Sequence, residues 1–256
     1  MQLETALGVK LFDRDKHKFA LTPSGQFLVE RAREILNMVE KTTLDIQEQE
    51  HNLAGSIAMG AGEYQATEVL AKLIGGFQKQ YAAVSFELFT SSSDLLHDKL
   101  DKGLLDVAIL QAPVDTTNYD YLRLPIRETW CVLMRSDAPL ASKNAITASD
   151  LSGLPIILPA RLQARSEIFN WLSGDIAKMR FIGNSNLLAN TAVFVEQCGY
   201  YGISVQMPLL DEKRFTYRPL TPALHSDILL VWRRDRQQSL ALQKFLQFAK
   251  CFLSIE

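Results

Sequence analysis

Apolar positions recur in two different patterns along this chain. Residues 23–50 carry them at alternating spacings of four and three, which is the heptad period of a helix that pairs with another helix. The alternative is an ordinary surface helix of one domain, but the stretch is much longer than the average globular helix of about 11–12 residues, which favours pairing. The expected dimerisation positions are Leu28, Ala32, Ile35, Val39 and Ile46.

From residue 56 onward, short apolar runs alternate with amphipathic helical patterns. Residues 56–61, 83–89 and 106–110 are typical strands separated by helices, and this order predicts a parallel sheet with right-handed crossovers. After Pro113 a second unit of the same kind follows, and residues 228–232 form a strand that can cross back to the first unit. We therefore predict an α/β fold with two subdomains and a ligand cleft between them.

The cleft should lie beyond the carboxyl ends of the strands, as in other open α/β sheets. Two of the loops there begin helices, whose free N–H groups favour an acceptor-rich or anionic ligand. Glu63 in the first loop would either repel an anion or hold an amine or a hydroxyl. Each candidate is alternatively a helix cap or a surface residue. The candidate effector-binding residues are Gln65, Thr67, Ser91, Ser92 and Gln111 in the first unit and Arg161 and Asn186 in the second.

The front of the chain combines a helix end with a charged hairpin. Residues 2–6 are helical and Gly8 should end that helix, while two short apolar strands flank the charged stretch 13–18. Such a wing can lie along a phosphate backbone, although a solvated charged turn would look the same. The candidate DNA phosphate contacts are Arg14, Lys16 and Lys18. Thr22 and Pro23 then open the long helix.

The composition of the chain argues against several classes of protein. The chain of 256 residues is 47% hydrophobic and 22% charged, within the ordinary globular range, and its net charge of −2 means that any DNA contact must be local. No apolar run approaches the roughly 20 residues of a membrane span and no secretory pattern opens the chain, so we expect a cytoplasmic protein without membrane contact. Cys131, Cys198 and Cys251 fit neither a disulfide framework nor a metal site. The sequence contains no catalytic motif, so we expect neither an enzyme nor a cofactor.

Four submotifs at the front of the chain carry a family resemblance. They are Leu3-Glu4, Leu7-Gly8, Leu11-Phe12-Asp13-Arg14 and Leu21-Thr22-Pro23-Ser24-Gly25. In order and spacing they resemble the wing and linker helix of LysR-type transcriptional regulators, and residues 100–109 and 137–140 continue the likeness. The resemblance implies a partial winged helix-turn-helix (1–22), a linker helix (23–54) and an effector-binding domain (55–256) similar to type 2 periplasmic binding proteins. The subdomains of that domain would be 55–120 with 233–256, and 121–232.

The resemblance also implies a function. A small-molecule metabolite would bind in the cleft of a homodimer or homotetramer and change how the protein contacts promoter DNA. Only the last part of a recognition helix would be present, so that contact is expected to be weak or incomplete. The alternative is a DNA-binding-deficient small-molecule-binding protein or a partner in hetero-oligomers. One departure from the family is the longer segment with Tyr200 and Tyr201, which we expect near the cleft mouth.

Overall fold

The front of the molecule is a short helix, a hairpin and one long helix. The computed structural model describes residues 2–13, 20–47, 53–63 and 65–254. Helix α1 (Gln2–Leu7) ends at Gly8, whose φ of 68° suits a residue without a side chain. Strands β1 (Phe12–Asp13) and β2 (Ala20–Leu21) pair antiparallel. Helix α2 (Pro23–Gln47) follows, and Thr22 caps it as predicted, because its hydroxyl accepts a hydrogen bond from the Gly25 N–H at 3.0 Å.

The first subdomain is a five-stranded sheet with helices on its faces. Its strands are β3 (Gly55–Ala61), β4 (Val84–Thr90), β5 (Val107–Gln111), β6 (Tyr119–Thr129) and β12 (His225–Arg233), in the spatial order β4-β3-β5-β12-β6. β3, β4 and β5 are parallel, whereas β12 runs antiparallel to both of its neighbours. Its helices are α3 (Thr67–Gln78), α4 (Ser93–Lys102) and α7 (Leu240–Leu253). The core is built where α3 and α7 cover the sheet.

The second subdomain repeats this plan. Its strands are β7 (Cys131–Arg135), β8 (Pro155–Pro159), β9 (Arg180–Ser185), β10 (Tyr201–Ser204) and β11 (Phe215–Pro219), in the order β11-β7-β10-β8-β9. Strands β8, β9 and β10 are parallel, and β7 is antiparallel to both of its neighbours. Helices α5 (Leu162–Leu172) and α6 (Leu188–Cys198) pack with it, beside 3-10 turns at Pro139–Ser142, Ala148–Leu151 and Ser173–Lys178.

Two strands of the first sheet are also the crossings between the subdomains. The predicted α/β architecture is confirmed, and so is the return of residues 228–232 to the first sheet. Residues 121–129 also lie in that sheet, whereas the expected boundary at residue 121 assigned them to the second subdomain. The reason is the pairing of β6 with β12, in which Tyr121 faces Val231 and Arg123 faces Leu229. The strands of the second sheet therefore fall between Cys131 and Pro219.

The two tyrosines expected at the cleft mouth lie elsewhere. Tyr201 begins β10 and is buried in the core of the second subdomain, and Tyr200 lines a surface groove with Arg135 and Asp137. Because the other end of β10, at Ser204, is the end that reaches the cleft, the expected position of both rings was wrong.

Candidate functional site

A cavity lies between the carboxyl ends of the parallel strands of both sheets. Strands β3, β4 and β5 end near it on one side, and β8, β9 and β10 end near it on the other. Its volume is about 90 Å³, well below the roughly 300–1,000 Å³ of most ligand pockets. The space between the two subdomains is therefore narrow in this structure. The lining includes Gly62, Glu63, Ser91, Ser92, Ser93, Gln111, Trp130, Leu158, Arg161, Asn186, Leu188, Thr191, Ile203 and Ser204.

Arg161 closes the cavity from the second subdomain. The residue is only 9% exposed, and the hydrogen bonds of its guanidinium reach the first subdomain. Nη1 donates to the Gln111 carbonyl at 2.5 Å, Nη2 donates to the Pro113 carbonyl, and Nε donates to the Asp94 carboxylate at 3.2 Å. This guanidinium is thus committed to contacts across the cleft.

Glu63 closes the cavity from the first subdomain. Its Oε2 accepts hydrogen bonds from the N–H groups of Leu188 and Ala189, the latter at 3.1 Å, at the start of helix α6. Strand β9 continues to Ser185, and the cap position of α6 falls on Leu187. Leucine has no acceptor to offer, so the carboxylate of Glu63 supplies the cap from the opposite subdomain.

A second internal carboxylate occupies the start of helix α3. Glu128 lies in the crossing strand β6 and is fully buried, and its Oε1 accepts from the Ala66 N–H at 2.8 Å. Burial raises the pKa of Glu128, while hydrogen bonds from the backbone N–H groups of Ala66 and Gln65 oppose that rise. Two of the helix starts at the cleft therefore already hold a carboxylate of the chain itself.

Two polar groups in the cavity wall have no hydrogen-bond partner within the described part of the chain. They are the side-chain nitrogen of Gln111, a residue that is 5% exposed, and the hydroxyl of Ser204. Leaving such a buried group unpaired costs about 1–3 kcal/mol. Ser92 also makes no capping hydrogen bond with its side chain, although it stands at the N-cap of α4. The cavity thus presents unused polar groups from both subdomains.

The structure brings together five of the seven candidate effector-binding residues. Two lie outside the lining: Gln65 faces a neighbouring groove beside Met207 and Tyr217, and the Thr67 hydroxyl donates to the Gly62 carbonyl at 3.3 Å. Ser204 was missed, although the strand-end rule that selected Gln111 in the first sheet would have found it in the second. The residues that line the cavity are Ser91, Ser92, Gln111, Arg161 and Asn186.

The other candidate residues belong to the front of the chain. Arg14, Lys16 and Lys18 lie outside the described residues. Leu28 and Ala32 are half-buried, while Ile35 and Val39 are 62% and 56% exposed. Ile46 falls within α2, but its side chain is outside the described part. Among the described residues, no three His, Cys, Asp or Glu side chains are grouped as metal ligands would be, and no described helix is long and apolar enough to span a membrane.

Comparison with known proteins identifies the family of this chain. A family model described as the LysR substrate binding domain matches residues 50–253. The chain belongs to the LysR family of transcriptional regulators. It is 31% identical over 251 residues to the Hca operon transcriptional activator HcaR of Escherichia coli (strain K12), a match that covers 95% of this chain and 83% of HcaR. These LysR relatives are named as transcriptional regulators and not as enzymes, in agreement with the expectation from sequence.

Other LysR proteins match over different lengths. The HTH-type transcriptional regulator BsdA of Bacillus subtilis (strain 168) is 31% identical over 159 residues, which are 61% of this chain and 54% of BsdA. Full-length CbnR with its target DNA has the same fold, with a TM-score of 0.73 at 14% identity over 98% of this chain and 86% of CbnR. The effector-binding domain of QuiR in complex with shikimate gives a TM-score of 0.69 at 17% identity, covering 79% of this chain and 99% of QuiR.

Proposed function

We propose that the cavity between the two subdomains binds a small polar metabolite and that its occupancy changes how this LysR-family regulator contacts promoter DNA. The observation that carries the proposal is the pair of unpartnered polar groups, Gln111 Nε2 and Ser204 Oγ, in a cavity lined by both subdomains. A ligand that pairs with them recovers the free energy that they otherwise lose. The shikimate complex of QuiR supports this use of the fold.

The proposed signal is a change in the relative orientation of the two subdomains. A ligand with polar contacts on both sides of the cleft binds one arrangement of the subdomains better than another, and only such a difference in affinity shifts a conformational equilibrium. Arg161 and Glu63 already join the two sides, so a ligand must displace or extend these contacts to enter a cavity of about 90 Å³. The crossings at Thr129–Trp130 and 221–224 would then act as the hinge.

In the proposed regulator, the front of the chain pairs subunits and contacts DNA. Ile35 and Val39 on α2 expose apolar side chains that a second copy of the helix would cover, and the basic positions Arg14, Lys16 and Lys18 would contact DNA phosphates. Full-length CbnR, solved with its target DNA, has the same fold and supports this arrangement. The oligomer would be a homodimer or homotetramer.

The first test replaces the unpaired amide in the cavity. We expect at least one class among small carboxylates, amino acids and sugars to raise the Tm of the wild-type protein, since a ligand that binds only the folded form stabilises it. Gln111→Leu should be at least as stable as the wild type without ligand, because an unpaired polar group is lost. The same variant should bind the stabilising ligand about tenfold more weakly, the value of one hydrogen bond.

The control for this test is Gln80→Leu, which changes an exposed glutamine outside the cavity and should leave the ligand response intact. Calorimetric titration gives Kd for all three proteins. Equal affinity of Gln111→Leu and wild type for every stabilising ligand would place the ligand elsewhere and refute the proposed site. Anisotropy with labelled promoter DNA, with and without the ligand, checks the regulatory half of the proposal.

A further inference from the structure

Both charged groups of the cavity wall already have hydrogen-bond partners within the chain. Of the described residues that line the cavity, Glu63 and Arg161 are the charged ones. Arg161 is nine-tenths buried and its guanidinium donates to Asp94 and to two backbone carbonyls. These bonds use three of the five N–H donors of the guanidinium, and the Asp94 carboxylate offsets part of its charge.

Two of the helix starts at the cleft are likewise occupied, whereas Ser92 at the start of α4 makes no capping hydrogen bond with its side chain. An anion is normally favoured at a helix N-terminus, because the first N–H groups are unpaired and the helix dipole is positive there. At α6 those N–H groups bind the carboxylate of Glu63, and at α3 they bind the carboxylate of Glu128. A ligand carboxylate at α6 would need the same donors and would meet a like charge within contact distance.

The groups that remain unused are uncharged. Gln111 Nε2 is a neutral donor, its residue is 5% exposed, and it lines the cavity without a partner among the described residues. Ser204 Oγ adds a hydroxyl that can donate or accept. Leu158, Ile203 and Trp130 supply apolar wall between these groups. This combination fits a ligand with hydroxyl or carbonyl groups on an apolar frame.

We propose that Glu63 is a specificity-determining residue that takes the place of a ligand carboxylate at helix α6, so that the cleft selects an uncharged polar effector and rejects its anionic analogue. This inference rests on the proposed function, because it concerns the ligand of the same cavity. Glu63 also closes the cleft in the absence of an anion, since its bonds to Leu188 and Ala189 join the two subdomains.

The test compares matched probes that differ in charge. Glucose and gluconate, and benzamide and benzoate, are added to the wild-type protein and to Glu63→Gln, and Tm and Kd are measured. Glutamine keeps an oxygen that can accept from the α6 N–H groups but removes the charge, so the variant is expected to fold. We expect the anionic probes to leave the wild-type Tm unchanged and to raise that of Glu63→Gln by about 2–4 °C at roughly fivefold excess over Kd.

Two further variants isolate the charge at this position. Glu63→Asp keeps a carboxylate and should continue to reject gluconate and benzoate. Glu68→Gln removes an exposed carboxylate five residues away, on helix α3, and should also behave as the wild type does. We expect at least a tenfold gain in affinity for an anionic probe in Glu63→Gln alone.

The outcomes separate this inference from the proposed function. Stabilisation of the wild type by an anionic probe, with a Kd within about threefold of that for Glu63→Gln, would overturn the role of Glu63 while leaving the cavity as an effector site. Failure of Glu63→Gln to respond to any anion would overturn it as well. Whether uncharged probes stabilise the wild type reports on the proposed function alone.

Discussion

The two-subdomain body (residues 55–253) and helix α2 differ in how far they bury their apolar side chains. In the body, Phe77 and Phe245 are fully buried and pack edge to face, with ring centroids 5.4 Å apart. On α2, Ile35 and Val39 leave more than half of their surface exposed. Apolar area that stays in water contributes nothing to folding. The body therefore contains its own source of stability, whereas we propose that the helix obtains it by pairing with a second copy.

The largest expected effect comes from the core of the body. Phe245 lies on α7 and also contacts Phe86, with ring centroids 5.5 Å apart. Phe245→Ala should lower the free energy of unfolding by about 3–5 kcal/mol, because burial is lost and a cavity is left. Urea unfolding followed by circular dichroism measures the change. Leu240→Ala, at an exposed position of the same helix, is the control and should change it by about 0.5 kcal/mol or less.

A loss below about 1 kcal/mol in Phe245→Ala would show that the body does not depend on this contact between α3, α7 and the sheet. Burial of apolar side chains would then not be what determines the stability of the body. A loss in the expected range would give the change in free energy with which the effect of the substitutions on α2 is compared.

The second effect tests the helix. Ile35→Lys combined with Val39→Lys places two charges on the exposed apolar face of α2. Each apolar side chain buried at an interface contributes about 1.5–3 kcal/mol, so association should weaken by a factor of about 100 or more while the Tm of the body stays unchanged. Light scattering across a dilution series measures the mass of the particle.

The matched control for this pair puts the same two charges on the opposite face. Gln26→Lys combined with Asn37→Lys lies about half a turn around the helix from Ile35 and should leave the mass of the particle unchanged. An unchanged mass in the Ile35 and Val39 variant as well would mean that α2 does not hold copies together. The exposed face would then have no assigned partner.

Local signals in the sequence were enough to predict the elements. Gly8 ends α1 with a positive φ, Thr22 caps α2, and the apolar runs of β3, β4 and β5 form strands, because each of these depends on neighbours along the chain. The family was recognisable for the same reason, since its motifs are contiguous. The carboxyl ends of the strands then located most of the candidate cavity.

Contacts between residues that are distant in the sequence could not be predicted from local patterns. Glu63 caps a helix 125 positions away and Glu128 caps α3 from 62 positions away, and nothing near either residue indicates its partner. The same holds for β6, which continues to Thr129 because β12 pairs with it. Likewise, the cap position of α6 falls on Leu187 because strand pairing with β8 extends β9 to Ser185.

The smallest expected effect concerns a polar group that the body has buried. Burial raises the pKa of Glu128 above its ordinary value of 4.5. Between the unfolded and folded pKa values the folded protein binds more protons than the unfolded chain does. The stability contributed by this group is therefore fully present below the unfolded pKa and is lost as the pH rises through the folded pKa.

Glu128→Gln removes that titration but keeps an oxygen to accept from the Ala66 N–H. The free energy of unfolding of the wild type, measured relative to this variant, should decline as the pH rises from about 4.5 towards neutrality. Glu128→Leu removes the acceptor too, and its deficit relative to Glu128→Gln should be the same at every pH, because neither side chain titrates. If the free energy of unfolding of the wild type changed with pH in parallel with that of Glu128→Gln, the carboxylate would be solvated in the folded protein. The body would then exclude water from its apolar core but not from the start of α3.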